Sequence, residues 1–290
     1  MSGDEELTYG SYLRIPELLR LQQPRSRPPH PEELHFIIVH QAIELWMKLM
    51  LHDLERVIGY LDADAWPRAL GLVGRVNQVM SHVLDQMRTL HTLPPWALEE
   101  FRSYLGSASG SQSQQFRELE LLSGLRDPAY LKALEVEYGG ELPAALAARR
   151  ARRSLAEAHL EAGGRLGLSE PADWAELYVD AGGRGSGRSG FYLLCEALVD
   201  YDERWSRWRH EHVALVERAL GDHARGTGGM ALTYLRRTTR YRFFPLLWAL
   251  RDELVLRGGG ELVGRQGGTG ATRRRDDERR PSSGRERSPD

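Results

Sequence analysis

The residues best placed to do chemistry are two histidines, each set among aromatic and apolar neighbours at helical spacing. In the stretch Trp205-Ser-Arg-Trp-Arg-His-Glu-His212, one helix face collects Trp205, Trp208, His212, Leu215, Val216 and Ala219. His210 lies two residues from His212, roughly 200° around the helix, beside Glu203, Ser206, Arg207, Ala214 and Glu217. His212 is therefore expected to point inward and His210 outward. An inward imidazole on such a face is either a hydrogen-bonded core group or a ligand. His40 shares its own face with Phe36, Ile37, Ile43, Glu44 and Met47. The spacing leaves open whether the two helices face each other.

Other chemistries find less support. There is no His-Glu-x-x-His, and His35 and His40 are five apart, so no helix offers the pair of histidines four apart that a zinc site uses. His210 and His212 cannot reach one metal from a regular helix. A two-histidine, one-carboxylate iron site has no spacing to suggest it. The single cysteine, Cys195, excludes an internal disulfide framework and cysteine-rich metal sites. No Gly-x-Ser-x-Gly is present. A formal GxGxxG at Gly185, Gly187 and Gly190 follows no strand and sits in no βαβ unit, so a loop is expected there. One imidazole holding a haem between helices is a solution open to a helical bundle, given an apolar cavity and a shaped distal side.

Helices must position these groups. The pattern predicts a short apolar segment at 8–23, a proline loop from Pro24 to Pro31, and a helix over about 34–61. Further helices are expected at 67–92, ended by Pro94-Pro95, and at Trp96–Leu105. After a small-residue loop from Gly106 to Ser113 come helices at Gln114–Leu122, 128–138, 142–163, 189–220, 230–241 and 243–257. With no convincing strand, the fold class is all-α, a bundle of long helices. Residues 1–257 form one expected domain. From Gly258 to Asp290 the chain is rich in Gly, Arg and Asp and reads as a disordered tail. The 290 residues carry a net charge of -2, which makes no electrostatic case for nucleic acid or an anionic membrane. The Ala148–Arg153 basic cluster reads as a solvated helix face. No apolar run reaches the roughly 18 residues of a membrane span, and the acidic start is unlike a signal peptide, so a cytoplasmic protein is expected.

Ordered short motifs then carry a resemblance. They are Tyr9-Gly-Ser-Tyr12-Leu13, Phe36-Ile-Ile-Val-His40-Gln-x-x-Glu44-Leu-Trp46 and Phe101-Arg102-x-x-Leu105. They continue with Ser107-Ala-Ser109-Gly110-x-Gln-Ser113-x-Gln-Phe-Arg117, Cys195-Glu-x-Leu-Val-Asp200, Trp208-Arg-x-x-His212, Gly226-Thr227-Gly-Gly229 and Phe243-Phe-Pro245. Spread over about residues 8–250, they resemble the tryptophan 2,3-dioxygenase family. The resemblance implies an all-α homotetramer with one haem b per subunit and O2 as co-substrate. It implies that His212 is the axial ligand of the haem iron and that His40 is the distal group at the indole N–H. Arg102 matches the substrate-carboxylate anchor, a task suited to a bidentate guanidinium, and Thr227 matches the holder of the amino-acid end. Phe36 matches the indole pocket, with Leu98 and Leu105 on either side of the arginine. Tyr9, Tyr12 and Leu13 match residues lent by a neighbouring subunit, and Ser109 and Gly110 belong to the loop over the haem.

Departures cluster at the substrate side. Leu98 stands where an aromatic is common, Ser111 stands where the family's Ser-Gly-Phe-Gln-Ser has phenylalanine, Met230-Ala-Leu follows Gly-Thr-Gly-Gly in place of Ser-Ser-Gly, and the loop 222–225 is one residue longer. The implied activity is oxidation of the indole C2–C3 bond of L-tryptophan, or of a substituted tryptophan, with two oxygen atoms giving N-formylkynurenine. Insertion of one oxygen to give a 2-oxindole, and a non-catalytic haem- or indole-binding protein, are the alternatives.

Overall fold

The computed structural model describes residues 7–181, 188–221 and 232–266. The helices in chain order are α1 (Tyr9–Tyr12), α2 (Ile15–Leu18), α3 (Glu33–Asp62), α4 (Trp66–Thr89), α5 (Pro95–Arg102), α6 (Gln114–Ser123) and α7 (Pro128–Glu137). They continue with α8 (Ala144–Ala151), α9 (Leu155–Arg165), α10 (Pro171–Ala181), α11 (Ser189–Leu220), α12 (Leu232–Thr238) and α13 (Pro245–Gln266). Short 3₁₀ turns extend α4 (Leu90–Thr92) and α5 (Ser103–Leu105). No strand occurs among the described residues, so the protein is all-α.

Three long helices form the frame. α4 packs against both α3 and α11, while α6 and α9 lie on α3, α8 on α6 and α12 on α11. The inner face of α4 repeats at three and four residues, with Ala69, Leu72, Val73, Val76, Met80, Val83, Leu84 and Met87 all buried. On α11 the buried face runs from Phe191 through Leu194, Leu198, Tyr201 and Trp205 to Arg209. Beyond Arg209 the same face opens onto a cavity. Asp202 pins the start of α13 to α11. Its Oδ2 accepts from the Phe243 and Phe244 backbone N–H groups at 2.9 and 3.2 Å and from Trp248 Nε1–H at 3.0 Å. By length and composition α3 could cross a membrane. Its polar side chains are used inside the molecule instead, as in the bidentate Arg75–Asp53 pair at 2.7 Å that ties α4 to α3.

The structure differs from the sequence expectation in four places. The helix expected at 142–163 is broken between α8 and α9. Ser154 caps α9 by accepting from Glu157 N–H at 3.2 Å, and the Glu157 carboxylate returns to Ser154 N–H at 2.7 Å. That reciprocal pair starts a new helix inside an otherwise continuous pattern. α10 has no counterpart in the sequence reading. Asp173 organises its first turn by accepting from the Ser169 and Glu170 N–H groups at 2.9 and 2.8 Å. The segment at 8–23 is two single-turn helices that bury no residue. The last helix continues past 257 to Gln266, through the glycines at 258–260 that sequence reading takes as a stop. The chain divides into two compact units, Met1–Leu250 and Arg251–Asp290. The rest of the expected tail, 267–290, lies outside the described residues. All that follows concerns the first unit.

The arginines of the basic cluster are ion-paired. Arg149 and Arg152 bond Glu55, Arg150 bonds Glu135 and Arg153 bonds Asp62 and Glu161. This is a neutralised surface with no free field for a polyanion.

Candidate active site

A cavity of about 260 Å³ opens between α3, the α4–α5 connection, α6, α11 and α12. α3 contributes Phe36, His40, Ile43, Glu44 and Met47, four of them the neighbours of His40 expected from helical spacing. α11 contributes Trp208, Arg209, His212, Leu215, Val216 and Ala219. The two inward histidines therefore share one cavity, whereas His210 is exposed and bonds the Ser206 carbonyl at 2.8 Å. Leu90, Leu93, Leu98 and Leu105 complete an apolar wall. Behind it Val39, Ala97 and Phe101 form a packed cluster with Phe36, Ile43 and Leu215.

The two imidazoles are prepared differently. His40 Nδ1 lies 2.7 Å from the Phe36 carbonyl oxygen, which can only accept. Nδ1 therefore carries the proton, and Nε2 is left with a lone pair. Burial lowers the His40 pKa, against the opposing pull of the Phe36 carbonyl and the Glu44 carboxylate, so the ring is neutral. Glu44 is itself held by Gln115 Nε2–H at 2.7 Å. His212 stacks on Trp208 with ring centroids 5.0 Å apart and 15° between planes. Among the described residues no hydrogen bond fixes its imidazole. By surface area it is only half-buried, because it borders the cavity. Enclosure by protein governs its charge: burial first, then His40 and Arg117 nearby, push its pKa down to about 4. At neutral pH it offers a lone pair without first losing a proton.

One end of the cavity is polar. Arg117 donates to Glu120 at 2.9 Å and to Glu137 at 3.0 Å, and Arg209 donates to Glu120 at 3.2 Å and to the Tyr241 carbonyl at 3.1 Å. Tyr130 Oη–H reaches the same Glu120 at 2.9 Å. Two guanidiniums and two carboxylates balance, which is what makes burying them tolerable. Arg117 Nε, Arg209 Nε and Trp208 Nε1 have no hydrogen-bond partner among the described residues, and each of these atoms is itself covered by protein.

Of the residues expected at the site, Phe36, His40, Leu98, Leu105, Ser109, Gly110 and His212 line this cavity. Ser109 caps the turn Gly110–Gln112 and accepts from Ser111 Oγ–H at 3.1 Å. Arg102 is not on the wall itself. It lies between Leu98 and Leu105 at the end of α5, with Glu99 at 3.5 Å. Tyr9, Tyr12 and Leu13 are exposed and do not reach the cavity of their own chain. Thr227 lies outside the described residues. Sequence reasoning missed Arg209 and Glu120, since a charged residue in mid-helix reads as solvated. Of the substrate-side departures, Leu98 and Ser111 line the cavity.

Three donors to one metal are not gathered among the described residues. An apolar cavity bordered by a neutral imidazole that no hydrogen bond fixes fits a haem, whose iron His212 would hold.

Comparison with known proteins identifies the family. The family model described as tryptophan 2,3-dioxygenase matches residues 1–171 and 148–254. The chain is similar to the tryptophan 2,3-dioxygenase of Nocardioides sp., 40% identical over 260 residues that cover 86% of this chain and 95% of that protein. It is 36% identical to the enzymes of that name from Myxococcus xanthus, over 262 residues and 90% of that protein, and from Bacillus cereus, over 270 residues and 94%. With both the family model and these relatives spanning most of its length, the chain belongs to the tryptophan 2,3-dioxygenase family.

Proposed function

We propose that this cavity joins haem, O2 and L-tryptophan, and that the protein opens the indole ring to N-formylkynurenine. The observation that carries the reading is the pair of neutral imidazoles in one cavity, His212 unfixed and His40 fixed as an Nδ1–H tautomer. His212 would hold the haem iron, and bound haem would supply the O2-activating centre. Arg117, Arg209 and Trp208 would border its polar side, and Ser109 and Gly110 would form the loop beside it.

His40 accepts the indole N–H at its free Nε2, which orients the ring and draws its electron density toward the C2–C3 bond. Phe36, Leu98 and Leu105 exclude water around the ring, and Arg102 takes the substrate carboxylate with Thr227 at the amino-acid end. Fixing a flexible zwitterion at two ends is a large part of the rate enhancement such a site can give. The names of the relatives favour dioxygenation over insertion of a single oxygen, and a cavity holding two prepared histidines argues for catalysis over passive binding.

The reading extends to a homotetramer of a cytoplasmic enzyme. α1 and α2 bury nothing, and Tyr9 and Tyr12 are 78% and 70% exposed, as expected of side chains completed by a neighbour's site.

The test is a single turnover of haem-loaded protein with O2 and L-tryptophan, followed by product mass. Two added oxygen atoms are expected, with a slower turnover in His40→Ala. One added oxygen, or no product with haem bound, would overturn the dioxygenase assignment.

A further inference from the structure

α5 is a short element for the part it plays, packed on α11 and, through Phe101, on Phe36 of α3. It is eight residues long, begins at Pro95 with no side-chain cap, and is followed by a 3₁₀ turn that stops at Gly106, whose φ is +59°. Its inner face is held by Ala97 and Phe101 in the apolar cluster. Its outer face, with Trp96, Glu99 and Glu100, is exposed. This short element nonetheless carries Leu98 and leads to Leu105 on the cavity wall, with Arg102 between them.

The proline loop before α3 is built to hold it. Glu33, buried in the first turn of α3, accepts from Arg25 N–H at 2.6 Å, Ser26 N–H at 3.0 Å and Ser26 Oγ–H at 2.5 Å. Burial works against ionisation of Glu33, but these donors outweigh it and its pKa is lowered. Ser26 Oγ in turn accepts from His30 N–H at 2.7 Å. At its other end the loop continues from Leu21 and Gln22, both bonded to Gln41 beside His40. The loop is thus knotted to α3 on both sides of the distal histidine.

From this knot two groups reach α5 and its 3₁₀ extension. The Glu32 backbone N–H donates to His30 Nδ1 at 3.2 Å, so the His30 proton is on Nε2, and Nε2–H donates to Glu100 Oε2 at 2.9 Å. The His30 ring also sits 5.5 Å from the Phe101 ring and 6.4 Å from Trp96. Tyr104 Oη–H donates to the Arg27 carbonyl at 3.1 Å.

We infer that His30, through Glu100, is a positioning residue for the substrate: it fixes α5 relative to α3, and so the Arg102 end of the site relative to His40. The inference rests on the proposal that Arg102 takes the substrate carboxylate. His30 touches no reacting group. Its loss should loosen the grip on the amino-acid end while leaving haem and chemistry intact.

The experiment uses the haem-loaded full chain and reads initial rates against L-tryptophan, the haem absorption spectrum, and amide hydrogen exchange over 97–105. His30→Ala and Glu100→Ala should each raise KM about 2- to 10-fold, the range for a half-exposed charge-assisted bond, with kcat and the haem spectrum retained. The double variant should be no worse than either single one. Glu100→Gln should stay near wild type, because an amide oxygen still accepts from Nε2–H. Faster exchange should be confined to α5 and its extension. Unchanged KM and exchange in His30→Ala, a fall in kcat alone, or faster exchange across all helices would overturn the clasp. Glu100→Ala, at an exposed side chain, reads the same bond should His30→Ala fold poorly. Arg102→Ala separates the two claims. If it raises KM and His30→Ala does not, the clasp fails and the carboxylate anchor stands. If it has no effect, the anchor fails and α5 exchange still decides the clasp.

Discussion

His40 and His212 show how far one residue type is set apart by its surroundings. Both are cavity-bordering histidines on long helices, yet a backbone carbonyl at 2.7 Å fixes the tautomer of one, and no hydrogen bond among the described residues fixes the other, which stacks on Trp208. The inward face of each could be read from spacing alone, because helical periodicity places Phe36, Ile43, Glu44 and Met47 with His40, and Trp208, Leu215, Val216 and Ala219 with His212. The tautomer could not, since it depends on a backbone oxygen one turn earlier. Arg102 matched a family motif, but spacing could not say that Leu98 and Leu105 on either side of it would line the cavity while Arg102 would not. Arg209 shows the opposite limit. It is buried among the Trp205, Tyr241 and Phe243 rings, its centre 5.2 to 5.8 Å from theirs, and nothing in a mid-helix arginine announces that.

Among the elements, α3, α4 and α11 were legible because long amphipathic runs end at clear signals such as Pro94 and Gly221. α9 was hidden inside a longer pattern, and its docking is governed by a residue with no sequence signature. His159 is buried against Trp174, Phe191 and Phe244, with Cys195 Sγ 3.3 Å from Nε2. Burial lowers its pKa to about 3, far below the ordinary 6.5. As pH falls below 6.5 the unfolded chain takes up this proton and the native state does not. The His159 contribution to stability is therefore complete above pH 6.5 and is lost between 6.5 and about 3, at roughly 1.4 kcal/mol per pH unit. His212, lowered to about 4, adds a slope of the same sign. Denaturant unfolding of the apoprotein across this range should show stability falling with acidity, and His159→Phe should remove the His159 share. A variant with an undiminished slope would place the acid sensitivity elsewhere.

At the scale of the whole molecule, the all-α class followed from the absence of strand periodicity, and the cavity between α3 and α11 follows from packing that sequence order does not encode. What the isolated chain leaves unburied is also informative. Leu34, Ile38 and Leu45 form an exposed stripe on α3, near the exposed tyrosines of α1 in sequence but belonging to a different helix. A homotetramer in which these surfaces meet should run as such in sedimentation at working concentrations, and a lone protomer that is fully active would refute the shared site.

If the cavity is a haem site built on His212, a haem titration of apoprotein followed by absorption spectroscopy will show it, on wild type, on His212→Gly, and on His212→Gly with added imidazole. Wild type should saturate at one haem per chain with an imidazole-ligated spectrum. His212→Gly should lose that spectrum, and free imidazole entering the vacated space should restore it. A His212→Gly protein that binds haem with the wild-type spectrum and no imidazole would show that another residue holds the iron.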